Sequence, residues 1–235
     1  MAIEARKRTL HAHERAAIMS ARLAVMARGG LGSEAVSPGK RPGLPLELYE
    51  FEGCPFCRKV REAISLLELP TRVFPCPKGG TRHRPRALTL SARASFPTLV
   101  DPNLAEGEQV HQESDRIVER LFAQYGTTSA PPLLRAGGLG NALSALSSGL
   151  RRGGVRRRAS VDLASDLTLY AHEGHAAARA PKEVLCELEL PYLWLPDPRG
   201  GTRDRGPSPR LTDGARSFEG EKAIVAYLEA RYGAP

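Results

Sequence analysis

Apolar residues along this chain switch between a strand-like and a helix-like spacing, and the same series of switches occurs twice. Leu46 to Tyr49 predicts a short strand, and Pro55 to Glu68 predicts a helix with Val60, Ala63, Ile64 and Leu67 on one face. Pro70 starts the exit from that helix, because proline cannot supply the N–H that would continue it. Thr71 to Phe74 predicts a second strand. The Gly79-Gly80 turn leads into an Arg-rich stretch with a weak helical pattern through Ala94. Thr98 to Val100 and Gln109 to His111 predict two more strands around the turn residues Asp101-Pro102-Asn103. Ser114 is placed to cap a last helix, on which Ile117, Val118, Leu121 and Phe122 form one stripe. The order β-α-β then β-β-α predicts a parallel pair extended by an antiparallel pair, a small mixed sheet covered by helices.

A second copy follows 121 positions later. Leu48-Tyr49 answers Leu169-Tyr170, and Glu52-Gly53 answers Glu173-Gly174. Leu67-Glu68-Leu69-Pro70 repeats as Leu188-Glu189-Leu190-Pro191, and Gly79-Gly80-Thr81-Arg82 as Gly200-Gly201-Thr202-Arg203. An ungapped match of this length points to duplication of one folding unit. Phe96 to Asp101 also answers Ser208 to Asp213, after a short deletion in the second copy. The second copy predicts strands at Leu167 to Tyr170, Tyr192 to Leu195 and Arg210 to Thr212, a helix around Lys182 to Glu189, and a last helix bearing Ala223, Ile224, Tyr227 and Leu228. Residues 127–165 are rich in Gly, Ser, Pro and Arg and read as a linker in which only Leu139 to Leu150 has a short amphipathic pattern. Residues 1–28 carry another such pattern, followed by a Gly/Pro-rich segment over 29–45.

Composition narrows the class. With 41% hydrophobic and 26% charged residues, the chain reads as soluble and globular, and no window has the apolar run that a bilayer span needs. The first residues lack a signal-peptide core, so the expected location is cytoplasmic. The formal charge of +8 invites a nucleic-acid reading. Much of the excess, however, lies in Arg151, Arg152, Arg156, Arg157 and Arg158, without a reading helix or interleaved aromatics, and no dedicated nucleic-acid surface is expected.

The candidate chemistry is Cys54-Pro55-Phe56-Cys57, at the junction of the first strand and the first helix. Two thiols at that spacing are a redox site, half a metal site, or two packing residues. Tetrahedral zinc needs two further ligands, and Cys76, His83 and His111 offer no second tight pair. Packing explains isolated cysteines better than a dithiol at a helix start. The redox reading needs less. Orphan N–H groups and the helix dipole stabilise a Cys54 thiolate, Arg58 and Lys59 add positive potential, and Cys57 is placed to resolve a mixed disulfide. Pro55 suits an early helical position. Cys76 and Cys186 have no comparable context, and four cysteines are too few and too unevenly placed for a disulfide scaffold.

Taken together, Cys54-Pro55-Phe56-Cys57, Phe96-Pro97-Thr98-Leu99-Val100-Asp101-Pro102 and Glu113-Ser114 resemble the glutaredoxins and the N-terminal domains of glutathione S-transferases. Over residues 45–126 and 166–233 the chain resembles a bacterial protein with tandem domains of that type. The resemblance implies an α/β fold of two tandem thioredoxin-like domains, each a mixed four-stranded sheet flanked by helices. The expected division is a 1–45 leader segment, a glutaredoxin-like domain over 46–126, the 127–165 linker, and a second thioredoxin-like domain over 166–235. It also implies that Cys54 is the nucleophile and Cys57 the resolving thiol. Pro97 is similar to the family's cis-proline, with Phe96 offering backbone groups to the cysteinyl part of glutathione, and Glu113-Ser114 to the pair that holds its γ-glutamyl end. Arg58, then Lys59 and Lys78, are the candidates for the glycyl carboxylate; Phe56 is a candidate pocket wall, and Tyr49 is another but is expected rather in the strand core, since Tyr170 keeps its place in the second copy without the thiols.

The second copy departs from the pattern. His175 and Ala178 stand at the positions of Cys54 and Cys57, and Gly220-Glu221 opposite Glu113-Ser114. Pro181 falls early in the corresponding helix, so a different start is expected there, and His175 is expected to be a surface residue. The leading expectation is a glutathione-linked thiol-disulfide oxidoreductase acting on glutathionylated or disulfide-containing proteins, with glutathione as co-substrate and neither metal nor nucleotide. The alternatives are glutathione transfer to an electrophile and a glutathione-binding or redox-sensing interaction module.

Overall fold

The computed structural model describes residues 32–35, 39–90, 95–135, 153–161, 166–202 and 206–234. The expected helical patterns over 1–28 and 139–150 lie outside these residues. In the first half, strand β1 (Leu46–Glu50) leads into helix α1 (Pro55–Leu66), strand β2 (Thr71–Pro75), helix α2 (Arg84–Leu90), strands β3 (Thr98–Val100) and β4 (Val110–His111), helix α3 (Ser114–Tyr125) and the one-turn helix α4 (Pro132–Arg135). In the second half, strand β5 (Leu167–Tyr170) precedes a 3-10 turn (Ala176–Ala178), helix α5 (Arg179–Glu187), strands β6 (Tyr192–Leu195), β7 (Arg210–Asp213) and β8 (Arg216–Glu219), and helix α6 (Glu221–Tyr232). The pattern along 216–219 had not suggested β8. Its residues are mostly exposed, so no apolar alternation marks it.

Both halves pair their strands alike. β1 runs parallel to β2 and antiparallel to β3, which pairs with β4; β5 runs parallel to β6 and antiparallel to β7, which pairs with β8. The expectation of two separate four-stranded sheets is corrected at one place. β2 and β6 pair antiparallel through Thr71 with Trp194, Arg72 with Leu193 and Val73 with Tyr192, giving one eight-stranded sheet in the order β4-β3-β1-β2-β6-β5-β7-β8. Each half alone would leave β2 or β6 as an unpaired edge, and joining them satisfies both rows of backbone groups. A single apolar cluster runs across the seam, from Leu48, Val60, Ile64 and Ile117 to Leu185, Trp194, Ile224 and Leu228. Each such side chain stabilises the fold by roughly 1.5–3 kcal/mol relative to exposure.

The segments that repeat most closely in the sequence form this seam. Helices α1 and α5 both end with a left-handed residue that is not glycine, Glu68 (φ 50°) and Glu189 (φ 52°). The closing bonds are alike, from Leu69 N–H to the Ile64 carbonyl and from Leu190 N–H to the Leu185 carbonyl, 3.0 Å each. Glycine would adopt this backbone without strain, but each glutamate reaches into the opposite half. Glu68 accepts from the Thr202 N–H at 2.9 and 3.0 Å, and Glu189 accepts from the Arg82 N–H at 3.0 Å. Gly80 and Gly201 leave room for the incoming carboxylates; a Cβ at Gly80 would lie 2.6 Å from Glu189 Oε1.

The parts outside the repeat cores also cross the seam. Glu34 bridges Arg199, and Arg156 bridges Lys78, both in parallel register. Residues 153–161, expected as part of a linker, are hydrogen-bonded to both halves, through Gly154, Val155 and Arg157 to the first and through Arg158, Ala159 and Val161 to the second. Among the described residues no helix is long and apolar enough to cross a membrane.

Candidate functional site

Cys54 is the N-cap of α1, with extended backbone (φ −81°, ψ 123°), and Pro55 is the first helical residue. The cap geometry directs the Cys57 N–H at Cys54 Sγ, 3.3 Å away. Both thiols are free, and they differ sharply in environment. Cys54 lines an open groove of about 520 Å³, whereas Cys57 is wholly buried beneath it. A bond from the Cys57 thiol, and then the Cys57 and Phe56 backbone N–H groups, pull the Cys54 thiol below its ordinary range, against burial and the Glu50 carboxylate. Burial pushes Cys57 well up, reinforced by the bond it gives to Cys54. Both cysteines are buried, Cys54 at 4% exposure and Cys57 at 0%, but only Cys54 borders the groove, and the two thiols are shifted in opposite directions.

Phe96 and Pro97 border the same groove and are joined by a cis peptide bond. The Phe96 carbonyl lies 3.9 Å from Cys54 Sγ. Glu113 and Ser114 close the other side at the start of α3. The expected cap shifts by one residue here. Glu113, not Ser114, is the N-cap, and it makes no side-chain cap bond. Its φ of 67° is a left-handed value that costs a non-glycine residue about 1–3 kcal/mol, the kind of local strain that binding sites retain. Ser114 becomes the first helical residue and is buried.

Both cations next to the thiols are engaged elsewhere. Arg58 is 1% exposed and bonds Glu62 at 3.1 Å, and it does not line the groove. Lys59 is buried and paired with Asp115. The cations that do line the groove are Lys78 and Arg84. Arg84 lies 4.8 Å over the Phe96 ring and donates to the Cys76 carbonyl at 3.0 Å. Sequence reasoning missed Arg84, because the Arg-rich stretch around it has no periodicity to single it out. Phe56 is a partly exposed groove wall. Tyr49 is buried and stacks on Phe74 at 4.8 Å, away from the groove.

The loop before Cys54 is held by the second half and by the segment that precedes it. The Glu52 N–H donates to Cys186 Sγ (3.4 Å), and the Gly53 N–H donates to the Gly154 carbonyl (3.2 Å), which also accepts from the Cys186 thiol (3.3 Å). One turn into α1, Arg61 is wholly buried and bonded to Glu50, to Glu52 and, across the seam, to Glu173 at 3.1 Å. Lys182 bonds the other Glu173 oxygen at 2.6 Å. Burial pushes the Glu50 carboxyl from 4.5 up to about 7, with Glu52 and Glu173 adding to the shift and Arg61 and Lys182 opposing it. One signal for this network was in the sequence: the repeat offset lays Lys182 over Arg61, Glu173 over Glu52 and Cys186 over Ser65.

In the second half, Ser208-Pro209 is again cis and Gly220 again precedes the last helix, with φ 79°. Pro181 does accompany a different helix start, a 3-10 turn ahead of α5. His175 is half-buried rather than on the surface, 3.5 Å from Ser208 Oγ, and burial lowers its pKa. Among the described residues no group of His, Cys, Asp and Glu is arranged to hold a metal ion.

Residues 48–130 match the family model of the glutathione S-transferase N-terminal domain. No curated protein matches the chain. Among solved structures, two of the Bombyx mori glutathione transferase BmGSTD1, one of them a complex with GTT, are similar at 25% identity and a TM-score of 0.33. Each match covers 41% of this chain and 45% of the transferase, so the chain spans less than half the length of those structures. The family match includes both thiols, the Phe96-Pro97 bond and Glu113-Ser114, and ends before the second half. The matched segment is similar to a mixed α/β, thioredoxin-like domain of transferase type.

Proposed function

We propose that the chain is a glutathione-linked thiol-disulfide oxidoreductase of two tandem thioredoxin-like domains, only the first of which carries the chemistry. The observation behind this reading is the asymmetry of the dithiol: Cys54, which borders the groove and whose thiolate is favoured, beside Cys57, which does not border it and whose thiol is kept protonated. In the first step the Cys54 thiolate attacks the glutathionyl sulfur of a mixed disulfide. A Cys54-glutathione disulfide forms, and the substrate leaves as a thiolate that takes a proton from solvent. A second glutathione thiolate then attacks that disulfide, releasing oxidised glutathione and regenerating Cys54. With a protein disulfide, Cys57 attacks the Cys54 mixed disulfide instead, and two glutathione molecules later reduce the Cys54-Cys57 bond.

Glutathione is the co-substrate, and neither a metal nor a nucleotide enters these steps. Its cysteinyl backbone fits the Phe96-Pro97 wall, its γ-glutamyl end fits Glu113 and Ser114, and its glycyl carboxylate fits Arg84 in place of the buried Arg58. Partners are glutathionylated or disulfide-containing proteins in a reducing compartment such as the cytoplasm. The test is release of peptide thiol from a glutathionylated peptide by the full chain with reduced glutathione. Cys54→Ser should reduce the rate to the uncatalysed background. Cys57→Ser should keep deglutathionylation and lose exchange with protein disulfides. Equal rates for Cys54→Ser and the unaltered chain would overturn the reading.

Conjugation of glutathione to an electrophile is the second reading, favoured by the family match over residues 48–130. It also needs a glutathione thiolate, but not Cys54 as nucleophile. Conjugation that persists in Cys54→Ser would select it. The described residues from 166 onward complete the sheet instead of forming an all-helical electrophile pocket, which weighs toward exchange.

A further inference from the structure

The two halves are related by a repeated bridge whose charges differ. In the second half's parallel bridge, Arg199 lies opposite Glu34, a residue of opposite charge, with the Arg199 N–H donating to the Ser33 carbonyl at 2.7 Å. In the corresponding bridge beside the dithiol, Lys78 lies opposite Arg156. The Lys78 N–H donates to the Val155 carbonyl at 2.8 Å, and the Arg157 N–H to the Lys78 carbonyl at 3.0 Å. Residues opposed in this way carry their side chains to the same face, so two like charges, Lys78 and Arg156, fall on one face of the bridge where Lys78 lines the groove. Like charges so placed repel, and an anion between them relieves the repulsion. The neighbouring arginines are already neutralised, Arg157 by Glu189 at 2.9 Å and Arg158 by Glu187 at 2.7 Å and Glu229 at 2.6 Å. Lys78 and Arg156 are exposed, and among the described residues no carboxylate pairs with either. The acidic groups of the groove, Glu113 and Asp115, belong to the start of α3, on a different element.

We propose that Lys78 and Arg156 form a cationic rim that selects an acidic flank on the protein disulfide presented to Cys54, with Arg156 contributed by the segment that joins the two halves. This rests on the redox reading for the identity of the groove. The segment joining the halves then has a role in choosing the substrate. Glutathione also carries carboxylates, but one tripeptide seated on Arg84 leaves the bridge on the rim for the attached protein.

The test uses the full chain bearing Cys54→Ser, so that binding is read without reaction. S-glutathionylated peptides of one core sequence, flanked by Asp/Glu, by Ser/Gly or by Lys, are titrated by fluorescence anisotropy at low and high salt. At about 20 mM salt the acidic peptide should bind roughly fivefold tighter than the neutral one, and the contrast should fall below about twofold near 300 mM. Arg156→Glu, which reproduces the complementary charges of the Glu34 bridge, should abolish the contrast, and Arg156→Lys should keep it. Equal binding of all three peptides, or a contrast that survives Arg156→Glu combined with Lys78→Glu, would overturn the proposal. So would an equal loss for glutathione disulfide alone, which would give the rim to glutathione, or an oligonucleotide that competes as well as the acidic peptide. Failure of the redox reading looks different: the unaltered chain would then turn over none of the peptides while the binding contrast stood.

Discussion

Place the start of α1 beside the start of α5. Both follow the inner strand of their half, both face a cis X-Pro bond, and both lie next to a final helix entered through a left-handed residue. In the first half the helix begins directly at Pro55, and the Cys57 N–H is aimed at Cys54. In the second, a 3-10 turn over Ala176–Ala178 intervenes, and the Ala178 N–H is spent on the His175 carbonyl at 3.0 Å. The scaffold is therefore kept where the thiols are not. What both halves preserve is their joint, since Glu68 and Glu189 reach across reciprocally and Arg61 and Lys182 meet on Glu173. The repeated glutamates serve assembly of the sheet, and the unrepeated cysteines stand at the groove end of the first half alone.

The largest effect expected from breaking this joint is on stability. Arg61→Met leaves Glu50, Glu52 and Glu173 buried without their shared guanidinium, and should cost about 3–5 kcal/mol. The single tryptophan, Trp194, lies in the other half and reports it. If the halves unfold together, the Trp194 fluorescence midpoint in urea should fall; an unchanged midpoint would make them independent units.

A smaller effect concerns pH. Glu50 has a folded pKa raised to about 7 from 4.5, so its contribution to stability is complete below about 4.5 and is lost as pH rises through 7. Glu50→Gln should remove that decline, leaving the protein more stable above pH 7 by on the order of 1 kcal/mol in urea titrations. It should also lower the Cys54 pKa further, because the Glu50 charge opposes the thiolate. A Cys54 alkylation profile unmoved by Glu50→Gln would mean that the two groups are not coupled.

The subtlest test transplants a thiol. In a chain with Cys54→Ser, His175→Cys should be alkylated with a higher midpoint pH than Cys54 shows in the unaltered chain, since the 3-10 start does not aim the same N–H at it. Matching midpoints would show that the cis bond and sheet end suffice, and that the helix start is incidental.

Most strands and helices were legible because their apolar positions follow one period over several residues, as in Val60, Ala63, Ile64 and Leu67. β8 was not, because its side chains are mostly exposed and carry no alternation. Of the residues lining the groove, Cys54, Phe96-Pro97 and Glu113-Ser114 stand out in the sequence as local motifs. Arg58 illustrates the limit. Its place next to Cys57 made it a groove cation on paper, but the helix turns it into the interior against Glu62 and leaves the groove to Lys78 and Arg84.

Order along the chain therefore decided the repeat, the strand directions within each half and the place of the dithiol at a helix start, because these depend on spacing and on residues a few positions apart. Only the tertiary structure decided that the halves share one sheet, that Cys186 and Gly154 hold the loop before Cys54, and that Arg156 stands beside Lys78. Those contacts join residues far apart in sequence, and backbone pairing at the β2–β6 seam brings them within reach.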